Sequence, residues 1–527
     1  MFTTTESLTD TASLRSQIHR YIFLAGLIGV CIGMPLSNGI NSICQAALAI
    51  NWLVEGNYAA KFKSLFRNKI VWVLCSFYVM HLLGLLHTTD FGYGFEDLNK
   101  KLPLFLFPIV FSTTRPLLEK EKRLVIIIFM LAVTCATFNG MYILIHDKIA
   151  DIHDISEFIA PVRLAMMIVL SIFILARYAF SKKFSWQVLL ASAWIGWFLY
   201  FLLIMQSLTA VVILIIICLV LLIYAAIRAI RRKKILIGLS VIILFAAGLI
   251  GSPVYVIHFY HSYFPKTDKV DFSKLEKKTV NGNLYMDDFW KGEYTENGHY
   301  WVEYVCWKEM KHEWNKRSKI PYDSMDLKGN PIQSTMLRYI TSLGLRKDSV
   351  GVWQLNSKDI TAIEMGIPNY RFNSLSSMQY RLYQVFWEMK DYQRGGDING
   401  HSLTMRFEYW NAALNIISKN PVIGVGTGDV TKSFNDYYNA THSKLKENWR
   451  LRAHDQFLEI GVGFGLIGIA WFIFSILYPG IKSKKIVTYM YFIFWMIFML
   501  SLFTEDTLET EAGSTFYAFF NSFFLFL

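Results

Sequence analysis

Charge is scarce in this sequence: 17% of its 527 residues are Asp, Glu, Lys or Arg, where a soluble chain carries about a quarter. That shortage excludes an ordinary soluble globular protein. Cysteine is scarce too, with six residues in all. Cys31, Cys44, Cys75, Cys135 and Cys218 fall in or beside apolar runs, and Cys306 stands alone in the long polar segment, which excludes a disulfide within that segment. No Cys/His spacing of a metal site occurs, and there is no internal repeat or low-complexity tract. Helix packing is left to hold the fold.

Apolar residues are what the chain has in plenty, at 54%, in runs near the roughly 20 residues needed to cross a bilayer as helix. Spans are expected at 20–36, 38–55, 69–87, 98–113, 123–146, 160–179, 184–205, 207–227 and 235–257, then at 456–478, 485–504 and 511–527. The 98–113 run is short and is broken by Pro103 and Pro108. The N-terminal stretch is polar, and no small-residue cleavage site follows the first run, so that run reads as a retained span and not a signal peptide. The fold class is then an all-α polytopic membrane protein of about twelve spans. It divides into an N-terminal bundle (1–257), a mainly helical outer domain (258–455) and a C-terminal bundle (456–527).

The net charge of +12 follows topology. Basic residues sit at alternate connections: Arg15 and Arg20; Lys61, Lys63, Arg67 and Lys69; Arg115, Lys120, Lys122 and Arg123; Arg177, Lys182 and Lys183; Arg228, Arg231, Arg232, Lys233 and Lys234; Lys482, Lys484 and Lys485. The intervening short loops are neutral or acidic, the acidic ones carrying Asp90, Glu96 and Asp97; Asp147, Asp151, Asp154 and Glu157; Glu505, Asp506, Glu509 and Glu511. This is the positive-inside bias, which puts both termini in the cytoplasm and 258–455 outside. That segment holds 27 basic against 23 acidic residues, so its balance excludes nucleic acid as a partner.

Ionisable groups at the edges of spans are candidates for chemistry. Arg163 follows Pro161 at the outer start of the sixth span, where snorkelling is the plainer alternative. Lys100 and Lys101 open the fourth span from outside, facing either lipid headgroups or the phosphates of a ligand. His454 lies at the mouth of the tenth span and suits a general base; a span-capping His is the bland alternative. A helix capped by Ser402 and stopped by Pro421 carries Arg406, Trp410, Ala413 and Ile417 on one stripe. After it, Gly424, Gly426 and Gly428 form a loop that either presents N–H groups to phosphate or makes turns. The cluster of Glu505, Asp506, Glu509 and Glu511 reads as a solvated loop, with metal or proton binding as the alternative. In the outer segment, a helical stretch over 300–314 places Trp307 and Trp314 on one face, as core or interface anchors or as a platform for sugar.

These residues resemble the O-antigen ligase and polymerase family of bacterial membrane proteins. The match is R-x-x-x-W-x-x-A in Arg406, Trp410 and Ala413, then N-P-x-x-G-x-G-x-G in Asn420, Pro421, Gly424, Gly426 and Gly428. It continues in the re-entry of His454, Asp455, Phe457, Leu458, Gly465 and Gly468, with the Arg163 neighbourhood and the closing acidic loop also similar. The resemblance implies a GT-C-like architecture in the bacterial inner membrane. It implies glycan transfer from an undecaprenyl-pyrophosphate carrier to lipid A–core or another glycan acceptor, with no cofactor and no metal. Arg163, Arg406 and His454 become the expected catalytic group. Lys100, Lys101, Trp410, Gly424, Gly426 and Gly428 become the expected substrate contacts. Two departures stand out. Gln206-Ser207-Leu208-Thr209-Ala210 lacks the arginine many members carry there, leaving that charge missing or supplied by Arg338, Arg371 or Arg381. Asp455 stands where Asn is usual. A polymerase is the nearest alternative, although the 146–160 loop is short for one. A transporter or flippase would need midplane charges in matching halves, and His81 is a lone candidate. A sensor with an outer ligand-binding domain would not need the arginines and His454 to converge.

Overall fold

In lipid every backbone N–H and C=O must find a partner within the protein, so apolar runs of this length become helices. The computed structural model describes residues 14–146, 152–181, 183–267, 271, 274–286 and 294–527; Asp147, Asp151 and Lys182 lie outside these. Along the chain come α1 (Leu14–Leu36), α2 (Asn38–Glu55), α3 (Tyr58–Arg67), α4 (Lys69–Gly84), α5 (Phe91–Lys101), α6 (Pro103–Thr113) and α7 (Glu119–His146). They are followed by α8 (Pro161–Ser181), α9 (Trp186–Ile204), α10 (Leu208–Arg231) and α11 (Ile235–Tyr263). A short hairpin, β1 (Thr295–Glu296) with β2 (His299–Tyr300), precedes α12 (Trp307–Arg317), α13 (Ile332–Ser342), α14 (Ser349–Gln354), α15 (Ser357–Glu364) and α16 (Ser377–Gln393). The chain closes with α17 (Thr404–Lys419), α18 (Val430–Ala440), α19 (Gln456–Lys482), α20 (Tyr489–Ser501) and α21 (Glu511–Phe526).

Each of the twelve expected spans falls on helical residues, but only eight helices among the described residues are long and apolar enough to cross a membrane. The other four fall short for separate reasons. Helices α6, α20 and α21 have 11, 13 and 16 residues, about 16 to 24 Å of rise against a hydrocarbon core of about 30 Å. Helix α2 has 18 residues but carries Asn41, Ser42 and Gln45, which bond Thr515 and Glu511 of α21. The expected 98–113 span is two helices, because Pro103 opens α6 as its first residue, where its missing N–H costs nothing.

The chain forms two compact units, residues 1–218 with 398–527, and residues 219–397. In the first, α1 packs on α2 and α7, α6 on α21, α4 on α6 and α19, and α17 on α19. In the second, α12, α13, α14 and α15 close on Met310, Trp314, Met336, Tyr339, Val352 and Ile363. The helix expected over 300–314 begins only at Trp307. Trp314 is wholly buried and donates to the Ile320 carbonyl at 2.8 Å, so it is a core residue and offers no face to sugar.

A break in α19 fixes the first unit. Gly465 is non-helical, at φ 63° and ψ −160°, which a Cβ would oppose. The glycine loop after α17 satisfies the freed backbone groups. Val425 and Gly426 donate to Val462 and Gly463 at 2.9 Å each, and Leu466 donates to Pro421 at 2.8 Å. Backbone meets backbone so closely here that a Cβ on Gly424 would lie 2.3 Å from the Gly463 carbonyl carbon, and one on Gly428 2.0 Å from the Asp90 oxygen.

Candidate functional site

Four separated stretches of the first unit supply one cluster of charge. Arg163 stands in the first turn of α8. Arg406 stands in the first turn of α17, which starts at Thr404 with Leu403 in the capping position, one residue later than a cap at Ser402 would give. His454 precedes α19, held at φ 47°, a left-handed geometry that histidine adopts more readily than most residues. Asp455 then caps α19 through a 2.9 Å bond from the Leu458 N–H. The fourth stretch is the loop between α20 and α21, pinned by Gln456: its side chain accepts from Leu508 N at 2.7 Å and donates to Glu509 at 2.9 Å.

That loop is where the expectation of a solvated acidic cluster fails. Glu505, Asp506 and Glu509 are all buried and paired, as buried charges must be. Glu505 is gripped from both sides, Oε2 by Arg163 at 3.1 Å and Oε1 by Arg406 at 3.0 Å. Asp506 Oδ1 takes Arg163 at 3.2 Å and faces His454 Nδ1 at 3.6 Å. Arg406 also donates to the Thr504 carbonyl. Burial raises the Asp506 carboxyl, but the His454 ring and the charges of Arg163 and Arg452 outweigh it and hold the group below its ordinary range. The acid stays ionised at neutral pH.

Exposure is graded across the cluster. The His454 side chain is 31% exposed, Arg406 21%, Arg163 8% and Lys101 1%. His454 and Arg406 therefore face outward, and Arg163 lies behind them. Lys101 requires a correction: it is fully enclosed, 2.5 Å from Asp97 and 2.6 Å from Glu509, so it holds the acidic loop and has no face for a ligand. Lys100 points elsewhere and pairs with Glu96 at 2.6 Å. The glycines need the same correction. The N–H groups of Gly424, Val425 and Gly426 are spent on Asn420, Val462 and Gly463, so the loop docks a broken helix and does not cradle phosphate. Its outer edge, Pro421 to Val425, lines a cavity of about 560 Å³ with His87 and Lys432. Trp410 is half-buried, edge-on to Phe407 at 6.1 Å, and its enclosed indole N–H has no hydrogen-bond partner among the described residues.

Arg452 was not singled out from the sequence, yet it joins the two layers. It reaches Glu459 at 3.0 Å, Glu509 at 3.3 Å, Asp506 at 3.9 Å and the Tyr93 hydroxyl at 2.7 Å. Its signal was present: an arginine two residues before His454, and Glu459 inside an apolar run, where a carboxylate demands a partner. The arginines suggested as substitutes for the missing family charge have other partners in the second unit. Arg338 pairs with Glu296 at 2.6 Å, Arg371 donates to the Ser262 carbonyl at 2.6 Å, and Arg381 stands 3.9 Å from Glu388. His81 is buried among Phe77 and Phe464 with Nδ1 on the Phe77 carbonyl at 3.0 Å.

By distance alone, His454, Glu505 and Asp506 could hold a metal ion, their donor atoms lying within 4.8 Å of one another. The charges around them argue against a cation. Both carboxylates are already neutralised by guanidinium groups, and a divalent ion there would meet Arg163, Arg406 and Arg452. The outward face instead offers guanidinium donors beside an imidazole, which suits an anionic ligand carrying a reactive group. No curated protein matches the chain. Residues 365–473, which contain Arg406, the glycine loop and His454, match the family model described as O-antigen ligase. The chain is a helical membrane protein whose residues 365–473 are similar to the O-antigen ligase family.

Proposed function

We propose that the protein moves a glycan from an undecaprenyl-pyrophosphate carrier to a hydroxyl of lipid A–core, at the periplasmic face of the bacterial inner membrane. The observation carrying this reading is that Glu505 and Asp506 gather Arg163, Arg406 and His454, which lie far apart along the chain, into one cluster. Pyrophosphate is a good leaving group once its charge is met, so the chemistry needs cations and a base and no covalent intermediate. Arg406, the more exposed guanidinium, binds the pyrophosphate oxygens, and Arg163 adds its charge from behind. Arg452 supplies the third positive charge that the Leu208 position lacks. Asp506 faces His454 Nδ1 and leaves Nε2 to take the proton of the acceptor hydroxyl. The hydroxyl oxygen bonds to the anomeric carbon, the bond from that carbon to the phosphate oxygen breaks, and undecaprenyl pyrophosphate departs with the electron pair. The arginines do the charge neutralisation that a metal ion provides elsewhere.

The lipopolysaccharide of a strain lacking the protein tests this reading. It should carry no long-chain glycan while finished polymer accumulates on the carrier. A single repeat unit on lipid A–core would instead identify a polymerase, and carrier-linked units trapped in the cytoplasm a flippase.

A further inference from the structure

At the other end of α6 from Lys101, the first unit holds a cavity of about 750 Å³, within the size range of small-molecule sites. Its inner wall is apolar, built from Phe23 of α1, Leu48 of α2 and Val110 of α6. Leu118 and Leu124 extend that wall outward and are both exposed. Its rim is basic. Arg20, Arg115 and Lys120 line it, against Glu55 and Glu121. Both acids are already taken, Glu121 by Arg20 at 2.5 Å and Glu55 by Lys61 at 2.8 Å. Arg115 and Lys120 keep their charge, with no acidic partner among the described residues.

The floor is built, since His19 and Asn51 bond each other across α1 and α2 at 2.8 Å and 3.1 Å. Arg20 also ties α1 to the chain before α7 through the carbonyls of Arg115 and Pro116, at 2.7 and 3.1 Å. Two free cations over an apolar wall match a ligand that is anionic at one end and hydrocarbon at the other. By the charge bias this end of the bundle faces the cytoplasm, and basic pockets between helices on that side suit anionic headgroups.

We propose that this cavity binds one anionic phospholipid of the cytoplasmic leaflet, its phosphate between Arg115 and Lys120 and an acyl chain along Phe23, Leu48 and Val110. The lipid seats α1, α2, α6 and α7 against one another, so the site is structural and separate from glycan transfer.

Full-length protein is reconstituted in nanodiscs of phosphatidylethanolamine and phosphatidylglycerol, and its retained lipid is read by native mass spectrometry. Wild type should retain phosphatidylglycerol in preference to phosphatidylethanolamine. The variant R115Q/K120Q should retain about thirty-fold less, as expected for two lost cations near a lipid phosphate. A matched variant, K63Q/R67Q, removes two charges from α3 on the same face but outside the cavity, and should retain as much as wild type. If R115Q/K120Q fails to fold, K120Q alone is read in its place, with about five-fold loss expected. Equal loss in K63Q/R67Q, no lipid preference in wild type, or full displacement by inorganic phosphate would each overturn the proposal.

Discussion

Replacing His454 with alanine is expected to lower glycan transfer by about 10²–10⁴-fold, the range that a positioned general base contributes, with the protein still inserted and folded. Folding should survive because the His454 side chain is 31% exposed and meets the fold through a 3.6 Å contact to Asp506 and a tilted ring contact with Tyr409 at 5.8 Å. Asp455 caps α19 independently of it. His454 is thus held by its backbone geometry and by a carboxylate whose other contacts are guanidinium groups, which fits a residue kept for its ring nitrogen. The check is the initial transfer rate of purified H454A together with its melting temperature. A rate within ten-fold of wild type at unchanged stability would remove His454 from the chemistry.

Substitution of Lys101 by methionine should act in the opposite way. Lys101 is 1% exposed and bridges Asp97 to Glu509, so its removal leaves two buried carboxylates short of a counter-charge. Breaking a buried pair by deleting one partner costs about 3–5 kcal/mol, and the damage should reach the site through Glu509 and its neighbours on the same loop. Thermal unfolding in detergent should show a clear drop in K101M, partly recovered in the double variant D97N/K101M, which also removes the orphaned acid. A ligand-contacting lysine would give a different signature: unchanged stability with a raised KM for the carrier-linked donor. That pattern would return Lys101 to the substrate side.

The contrast between His454 and Lys101 shows what the sequence could disclose. Spacing and apolar runs located the helices, because a membrane leaves backbone few alternatives. Motif spacing singled out His454 and Arg406, and an arginine after proline at a span edge singled out Arg163, three side chains that meet at Glu505 and Asp506. Partnership was not legible. Lys101 looked like a surface cation because its partner Glu509 is 408 residues away, and the acidic loop looked solvated because nothing local reveals that Arg163, Arg406 and Arg452 converge on it. Even the i to i+4 spacing of Asp97 and Lys101, a helix-pair signal, says nothing of burial. The glycine loop was ambiguous for a related reason: glycines serve close backbone approach as readily as anion binding, and only the break at Gly465 shows which of the two applies.

The most direct test of the arginine–imidazole site is the rate at which purified protein transfers glycan from an undecaprenyl-pyrophosphate donor to lipid A–core in the presence of EDTA. Wild type should keep its rate with the chelator, and R406A should lose about 10²–10³-fold, the loss typical of removing one preorganised charge-stabilising donor. Loss of the wild-type rate in EDTA, or undiminished transfer by R406A, would contradict a site that works through guanidinium groups.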